Sequence, residues 1–440
     1  MRNHPRLVVA ALGAVLASCS SAALADYPSA TAGAVRAMEA GRFQEAAKWF
    51  RDLPGADDEN AFLAHAESGM AWHVGGRLEA AVREWLAADD VLESYEDRPT
   101  ISGRSVVEGA LSFFVNDQTI PYDGEGFEVV LLHGFMAWDY LRLGSLDDAL
   151  VEVRRGYDLE RFEEDRYGTK YGMNRFARFV AAVAQELDGR PDEARIDLER
   201  LAKEVGADHP VVKASLERLE RAATPEGRQE LAGLSELIVV HERGRMPVKR
   251  SEEFVYQTRR SLGKLAVPAF DAAPPAPPRL AVRLDGAEVG RTVRLENVEN
   301  VARRNLADRI AWVTAKAMAR SALKTVAVDE AAEAASDQHG EWAGVLVGVV
   351  GSLWNLASER ADLRSWRTLP REIQVLRVPV EPGEHRVVLT TPGGGRVDLG
   401  PIRFQARRPV LVSARTLGGR IWAAPPRAVR GAETATILEP

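Results

Sequence analysis

The strongest constraint on the fold is a spacing pattern that occurs four times in the first half of this 440-residue chain. In each copy an alanine follows a glycine by five positions, and a large apolar residue follows it by nine. The four sets are Gly41, Ala46 and Phe50; Gly76, Ala81 and Trp85; Gly144, Ala149 and Val153; and Gly189, Ala194 and Leu198. Small residues allow two helices to approach to about 8–10 Å, and glycine adopts turn conformations that other residues resist. The pattern therefore predicts packed helical hairpins.

This register resembles the tetratricopeptide repeat, whose two helices meet at small residues and turn at a glycine. The spacing from Gly41 to Gly76 is 35 residues, close to the family period of about 34. Gly76 and Gly144 are 68 residues apart, and no copy lies between them. We therefore predict a helical domain over 27–230 with an insertion at 95–126. Arrays of this kind form curved surfaces that bind partner segments.

The second half of the chain changes from helical to alternating apolar periodicity. We predict a β-rich segment over 233–300 with a Pro-rich link at 268–278, a helical segment over 301–360 and a β-sandwich-like segment over 361–425. Asp285-Gly286 lies between two alternating runs, which is a strong hairpin signal. The predicted fold class is α+β, with a tetratricopeptide-like α-helical array followed by a mixed, β-rich C-terminal region that contains a long helix.

The amino terminus, residues 1–25, has the order of an export signal: a basic start, a short apolar run and small residues. Leu16-Ala17-Ser18-Cys19 matches the lipoprotein signal pattern, and Cys19 is the single cysteine of the chain. We expect Cys19 to be lipidated, which by resemblance to lipoprotein sorting implies a periplasm-facing outer-membrane lipoprotein. The alternative is cleavage after Ala25, which would give a soluble periplasmic or secreted protein.

Two further stretches, 115–155 and 361–385, resemble an uncharacterised family of Gram-negative envelope lipoproteins with tetratricopeptide-like helices. The recurring family motifs correspond here to Asn116, Asp117, Asp362, Arg364, Ser365, Trp366, Leu369 and Pro370. The family has no established activity. Within the second motif, two interpretations stay open. Asp362, Arg364 and Trp366 either brace one domain against another through an ion pair and an aromatic ring, or form a surface docking site.

No motif for catalysis or metal binding occurs in the sequence. His65 and His73 are eight residues apart, too far to share a metal, and the zinc-protease, nucleophile-elbow, phosphate-loop and paired-cysteine motifs are missing. We therefore predict no catalytic residues, metal or cofactor, with catalysis hidden in the β-rich half kept as an alternative. The net charge of −7 gives no sign of nucleic-acid binding.

Two segments keep a structural and a functional interpretation. Residues 396–430 carry eight arginines and one acid, which indicates either solvated strand faces or a patch for anionic partners. The glycine-rich apolar stretch 342–357 indicates a buried helix, or a membrane or oligomer contact. The favoured function is a lipid-anchored scaffold or adaptor that binds an envelope protein partner through its helical surface. The alternative is a peptidoglycan- or polysaccharide-handling protein.

Overall fold

A computed structural model describes residues 26–96, 121–167, 174–257, 262–272, 279–310 and 361–426. Cys19, Asn116, Asp117 and the apolar stretch 342–357 lie outside these ranges, as does most of the predicted insertion. Within them, no helix is both long enough and apolar enough to cross a membrane.

Helical hairpins form the first half of the chain, and each predicted turn glycine lies between the two helices of one hairpin. Gly41, Gly76, Gly144 and Gly189 have φ values of 81°, 72°, 81° and 73°, a region that favours glycine. The helices are α1 (Tyr27–Glu39), α2 (Phe43–Arg51), α3 (Ala61–Val74), α4 (Leu78–Glu96), α5 (Gly126–Leu143), α6 (Leu146–Tyr167), α7 (Arg175–Leu187), α8 (Pro191–Val205), α9 (Pro210–Ala222) and α10 (Pro225–Ala232).

The two helices of each hairpin pack against each other at the small residues of the repeat. Ala46, Ala81, Ala149 and Ala194 are fully buried, and the large residues Phe50, Trp85, Val153 and Leu198 are at most 8% exposed. At Gly69 a Cβ atom would lie 2.3 Å from Nε1 of Trp85. The glycine therefore allows the indole of α4 to rest directly on the backbone of α3.

Within the described ranges, three sheets follow the helices. Their strands are β1 (Ser235–Arg243), β2 (Lys249–Gln257), β3 (Leu262–Phe270), β4 (Ala281–Leu284), β5 (Ala287–Arg291), β6 (Val293–Glu296), β7 (Glu372–Val380), β8 (Gly383–Thr390), β9 (Arg396–Phe404), β10 (Pro409–Leu417) and β11 (Arg420–Ala423). The strand orders are β11-β10-β1-β7-β6, β5-β4-β8-β9 and β2-β3. β1 pairs parallel with β10 and antiparallel with β7.

The packed molecule has three layers. The first helices of the hairpins pack on one face of the five-stranded sheet, and the four-stranded sheet packs on its other face. β1 serves both interfaces: Ile238 and Val240 belong to the core shared with the helices, whereas Leu237 and Val239 belong to the core between the sheets. This follows from the two-residue period of a strand. The α+β class with the array first is confirmed.

The layers do not follow the division predicted along the sequence. β1, from the first β-rich segment, forms the middle of a sheet whose other strands include β7 and β10 from the last segment. The Pro-rich link begins later than position 268, because 268–270 belong to β3. Residues 361–371 precede the last group of strands as an irregular segment. A helix starts at 298 and is described to 310; the rest of the predicted helical segment lies outside the described ranges.

Candidate functional site

The 361–371 segment lies between the helical array and the five-stranded sheet, and most of its residues are buried. It forms no strand, so its backbone N–H groups lack ladder partners. A buried N–H without an acceptor would be costly. The segment therefore needs acceptors from the elements packed against it.

Two buried glutamates of the array accept hydrogen bonds from three of these N–H groups. Glu67 of α3 accepts from the N–H groups of Arg367 at 2.6 Å and Thr368 at 2.9 Å. Glu128 of α5 accepts from the N–H of Trp366 at 2.7 Å. Both side chains are fully buried, and burial raises the pKa of Glu67 to about 7 in spite of its hydrogen bonds. The inner face of the array thus binds an extended piece of its own chain.

Trp366 anchors this segment by its ring. It is 1% exposed, and its centroid lies 6.5 Å from those of Trp85 and Phe135 in edge contacts. Its Nε1 donates to the hydroxyl of Thr368 at 3.1 Å. An aromatic ring buried in this way contributes several kcal/mol of apolar and edge-to-face contact. The ring therefore joins two hairpins through one side chain.

The other residues of the second family motif lie around Trp366. The guanidinium of Arg364 binds Asp362 at 2.8 Å and donates to the carbonyl of Glu59 at 3.2 Å. Ser365, Leu369 and Pro370 are buried. This geometry is that of an internal brace between the segment and the array, since the charges meet each other and face away from solvent.

A buried charge chain runs from the array to the sheet. His73 of α3 contacts Asp139 of α5 at 2.8 Å through Nδ1 and Glu242 of β1 at 2.7 Å through Nε2. Burial alone would lower the pKa of His73, but the two carboxylates outweigh it and raise the pKa to about 9. Arg415 of β10 donates to Glu242 at 3.2 Å and to the carbonyl of Thr368 at 2.8 Å.

A second buried pair closes the other side of the segment. Lys249 of β2 is 2% exposed and contacts the carboxylate of Glu125, and its Nζ donates to the carbonyl of Arg364 at 3.0 Å. Glu125 precedes α5, and its N–H donates to Glu128 at 3.1 Å. Because Glu125 and Glu128 face each other in a buried site, burial and their mutual repulsion raise the pKa of Glu128.

These acid, imidazole and cation groups are sealed. The side chains of His73, Asp139, Glu242 and Arg415 are at most 1% exposed, so a substrate has no access to them in this conformation. In the part of the chain that the structure describes, no group of three or more His, Cys, Asp or Glu residues is arranged to hold a metal ion. This network holds the helical layer against the five-stranded sheet.

The C-terminal arginines that the structure describes do not form one patch. Arg396 and Arg386 both bind Asp398, at 3.4 Å and 2.8 Å, whereas Arg415 is buried with Glu242. Arg403, Arg407, Arg408 and Arg420 are exposed. The last two of the eight arginines lie outside the described ranges. Arg407 and Arg408 lie beside arginines of the helical array.

Sequence reasoning missed Glu67, Glu128, His73, Glu242 and Lys249. A signal for three of them was present. Glu67 and His73 lie in the apolar stretch of α3, and Glu128 lies in that of α5. A charged residue within an apolar helix face needs a buried partner, although the sequence does not identify that partner. Comparisons of the chain with protein-family models, with curated proteins and with solved structures give no match.

Proposed function

We propose that the chain is a lipid-anchored periplasmic scaffold that binds an envelope protein through the outer surface of its helical array. The observation that carries this proposal is the unequal use of the two array faces. The first helices of the hairpins are covered by the five-stranded sheet and the 361–371 segment. The second helices keep large apolar side chains exposed by 42–51%: Trp49 on α2, Val151 and Phe162 on α6, and Ile196 on α8.

This distribution supports a modified form of the expected partner surface. In a helical repeat array the concave inner face is the usual binding surface. Here the inner face already holds a segment of the same chain, so a partner has to use the outer helices or an end of the array. Clustered exposed apolar side chains are typical of interaction sites, whereas single ones are common on any surface.

Photo-crosslinking in cells tests the partner surface. We expect a crosslinker placed at Ile196 to form a discrete adduct with an envelope protein, while one placed at Arg396 on the four-stranded sheet forms none. Equal adducts from both positions would indicate non-specific proximity and contradict the proposed surface. Sedimentation of the purified chain with isolated cell-wall polymer would instead support the peptidoglycan-handling alternative.

The lipid anchor has its own test. Palmitate labelling should mark the wild-type chain and not a Cys19→Ser variant, and the variant should leave the membrane fraction. Two acyl chains or more give stable anchoring, because each buried CH₂ contributes about 0.8 kcal/mol. An unlabelled wild-type chain that begins at Asp26 would show that Cys19 is discarded with the signal.

A further inference from the structure

A groove of about 530 Å³ opens where the end of the helical array meets the ends of the strands. Six arginines from four different parts of the chain line it, and we call it the arginine groove. They are Arg218 and Arg221 of α9, Arg228 of α10, Arg377 of β7, and Arg407 and Arg408 between β9 and β10. Its volume lies within the range of roughly 300–1,000 Å³ in which proteins bind ligands.

The floor of the groove is a fixed ion-pair network. Arg377 is buried and binds the carboxylates of Glu186 at 2.8 Å and Glu236 at 2.6 Å. Arg218 also contacts Glu186. Although burial opposes ionisation of Glu186, Arg377 and Arg218 hold its pKa below the usual range. The floor is therefore already neutralised and does not need a ligand.

The rim differs from the floor. The third groove glutamate, Glu230, lies 3.8 Å from Arg221, and Arg228 donates to the carbonyls of Ala222 and Ala223 at the end of α9. Among the described residues, no carboxylate pairs with the exposed guanidinium groups of Arg407 and Arg408. Counted over the lining residues that the structure describes, six arginines and three glutamates leave an excess of three positive charges, which an anionic ligand would balance.

The turn at the rim of the groove holds Arg407 in an unusual backbone conformation. Arg407 has a φ of 64°, in the left-handed region that favours glycine. It occupies the third position of the tight turn in which the N–H of Arg408 donates to the carbonyl of Gln405 at 3.1 Å, a position usually occupied by glycine in such turns. Its own N–H donates to the carbonyl of Leu234 at 2.8 Å. An arginine is thus held in an unfavourable conformation at the rim of the groove.

We infer that the arginine groove binds an acidic peptide segment of a partner protein. Its apolar lining, which includes Leu187, Leu231 and Pro379, does not suit a simple inorganic anion, which has no apolar surface to bury. Carboxylates would pair with the rim guanidinium groups in the bidentate geometry that arginine favours. Apolar side chains of the same segment would cover Leu187, which is 39% exposed.

This inference rests on the proposed scaffold function only for the origin of the peptide. Binding to the purified chain is measured apart from anchoring. A negative binding result therefore leaves the palmitate and crosslinking tests unaffected, and loss of the lipid anchor leaves the groove intact. The two proposals can fail separately.

Fluorescence anisotropy with a short labelled peptide of alternating glutamate and leucine tests the groove. We expect the double variant Arg407→Gly, Arg408→Ser to bind about tenfold more weakly than wild type, because two exposed arginine–carboxylate pairs contribute on that order. Arg403→Ser removes a positive charge from exposed β9, outside the groove, and should bind as wild type. Equal weakening by Arg403→Ser, or equal binding of a peptide with glutamine in place of glutamate, would overturn the proposal.

The single variant Arg407→Gly separates binding from stability. Glycine relieves the left-handed strain, so its melting temperature should rise or stay level while peptide affinity falls. Unchanged affinity in this variant would remove Arg407 from the site and overturn the proposal. Inorganic phosphate and vesicles of anionic lipid serve as competitors. Displacement of the peptide by either at concentrations below that of the unlabelled peptide would assign the groove to that anion instead.

Discussion

The inner face of the helical array and the arginine groove are both rich in charged side chains, but the chain satisfies them differently. On the inner face, carboxylates of α3 and α5 bind the backbone of the 361–371 segment, and His73 lies between two acids. In the groove, the floor is paired while Arg407 and Arg408 face solvent. Charges that have partners within the chain stabilise the fold, whereas exposed charges left over are available to another molecule.

Removing the anchor of the 361–371 segment should produce the largest effect. Trp366→Ala is expected to lower the free energy of unfolding by about 3–5 kcal/mol, since it deletes a buried ring. Trp49→Ala, at a residue that is 42% exposed, should cost clearly less. Urea denaturation measures both. Equal losses would mean that the inner face is no more important to stability than the outer one.

The buried histidine predicts a pH dependence. The pKa of His73 is raised from 6.5 to about 9 in the folded protein, so the folded state binds this proton more tightly than the unfolded state. The stabilisation that protonated His73 provides is therefore complete below pH 6.5 and is lost as the pH rises through 9. The loss amounts to roughly 3 kcal/mol. Denaturation curves at pH 6 and pH 9 should therefore differ more for wild type than for His73→Gln. A His73→Gln variant with the same pH dependence as wild type would contradict this assignment.

Substitution of Glu67 tests whether a side chain of the array takes the place of the backbone acceptors that a neighbouring strand would provide. Glu67→Ala leaves the N–H groups of Arg367 and Thr368 without acceptors, and we expect a loss of about 2–3 kcal/mol. Glu67→Gln keeps one acceptor oxygen and should cost less. The exposed Glu199→Ala is the control, expected within about 0.5 kcal/mol of wild type. A neutral Glu67→Ala variant would show that the segment is held by its ring alone.

Two glycines make the smallest matched comparison. Gly69→Ala introduces a Cβ atom 2.3 Å from Nε1 of Trp85, and we expect it to lower stability by about 1–3 kcal/mol through overpacking. Gly156→Ala in α6 meets no atom within 4 Å and should raise stability by about 1 kcal/mol, because alanine favours helix. Thermal melting measures both. Effects of the same sign would contradict the packing of α3 on α4.

Much of the array was accessible from the sequence because its determinants are local. The positive φ at Gly41 recurs at the other three turn glycines, and the contact of Gly69 with Trp85 joins two helices of one hairpin. Both features therefore depend on residues close in sequence. The same holds for Asp285-Gly286, whose φ values of 48° and 87° form the turn between β4 and β5. Local patterns of glycine and alanine therefore determined the helical hairpins, and alternation determined the strands.

Only the tertiary structure decided which distant groups meet. His73 contacts Glu242 across 169 residues, and Arg367 reaches Glu67 across 300. Neither long-range contact can be predicted from local periodicity. A buried charge needs one partner of suitable chemistry, and that partner can come from any element. By itself the sequence determined the helical hairpins with glycine at their turns and the alternating pattern of the β-rich half. It did not predict that β3 extends into the Pro-rich link or that Arg407 occupies a turn position typical of glycine. The tertiary structure decided that the inner face of the array is filled by its own chain and that arginines of two helices, one strand and one turn converge at one groove.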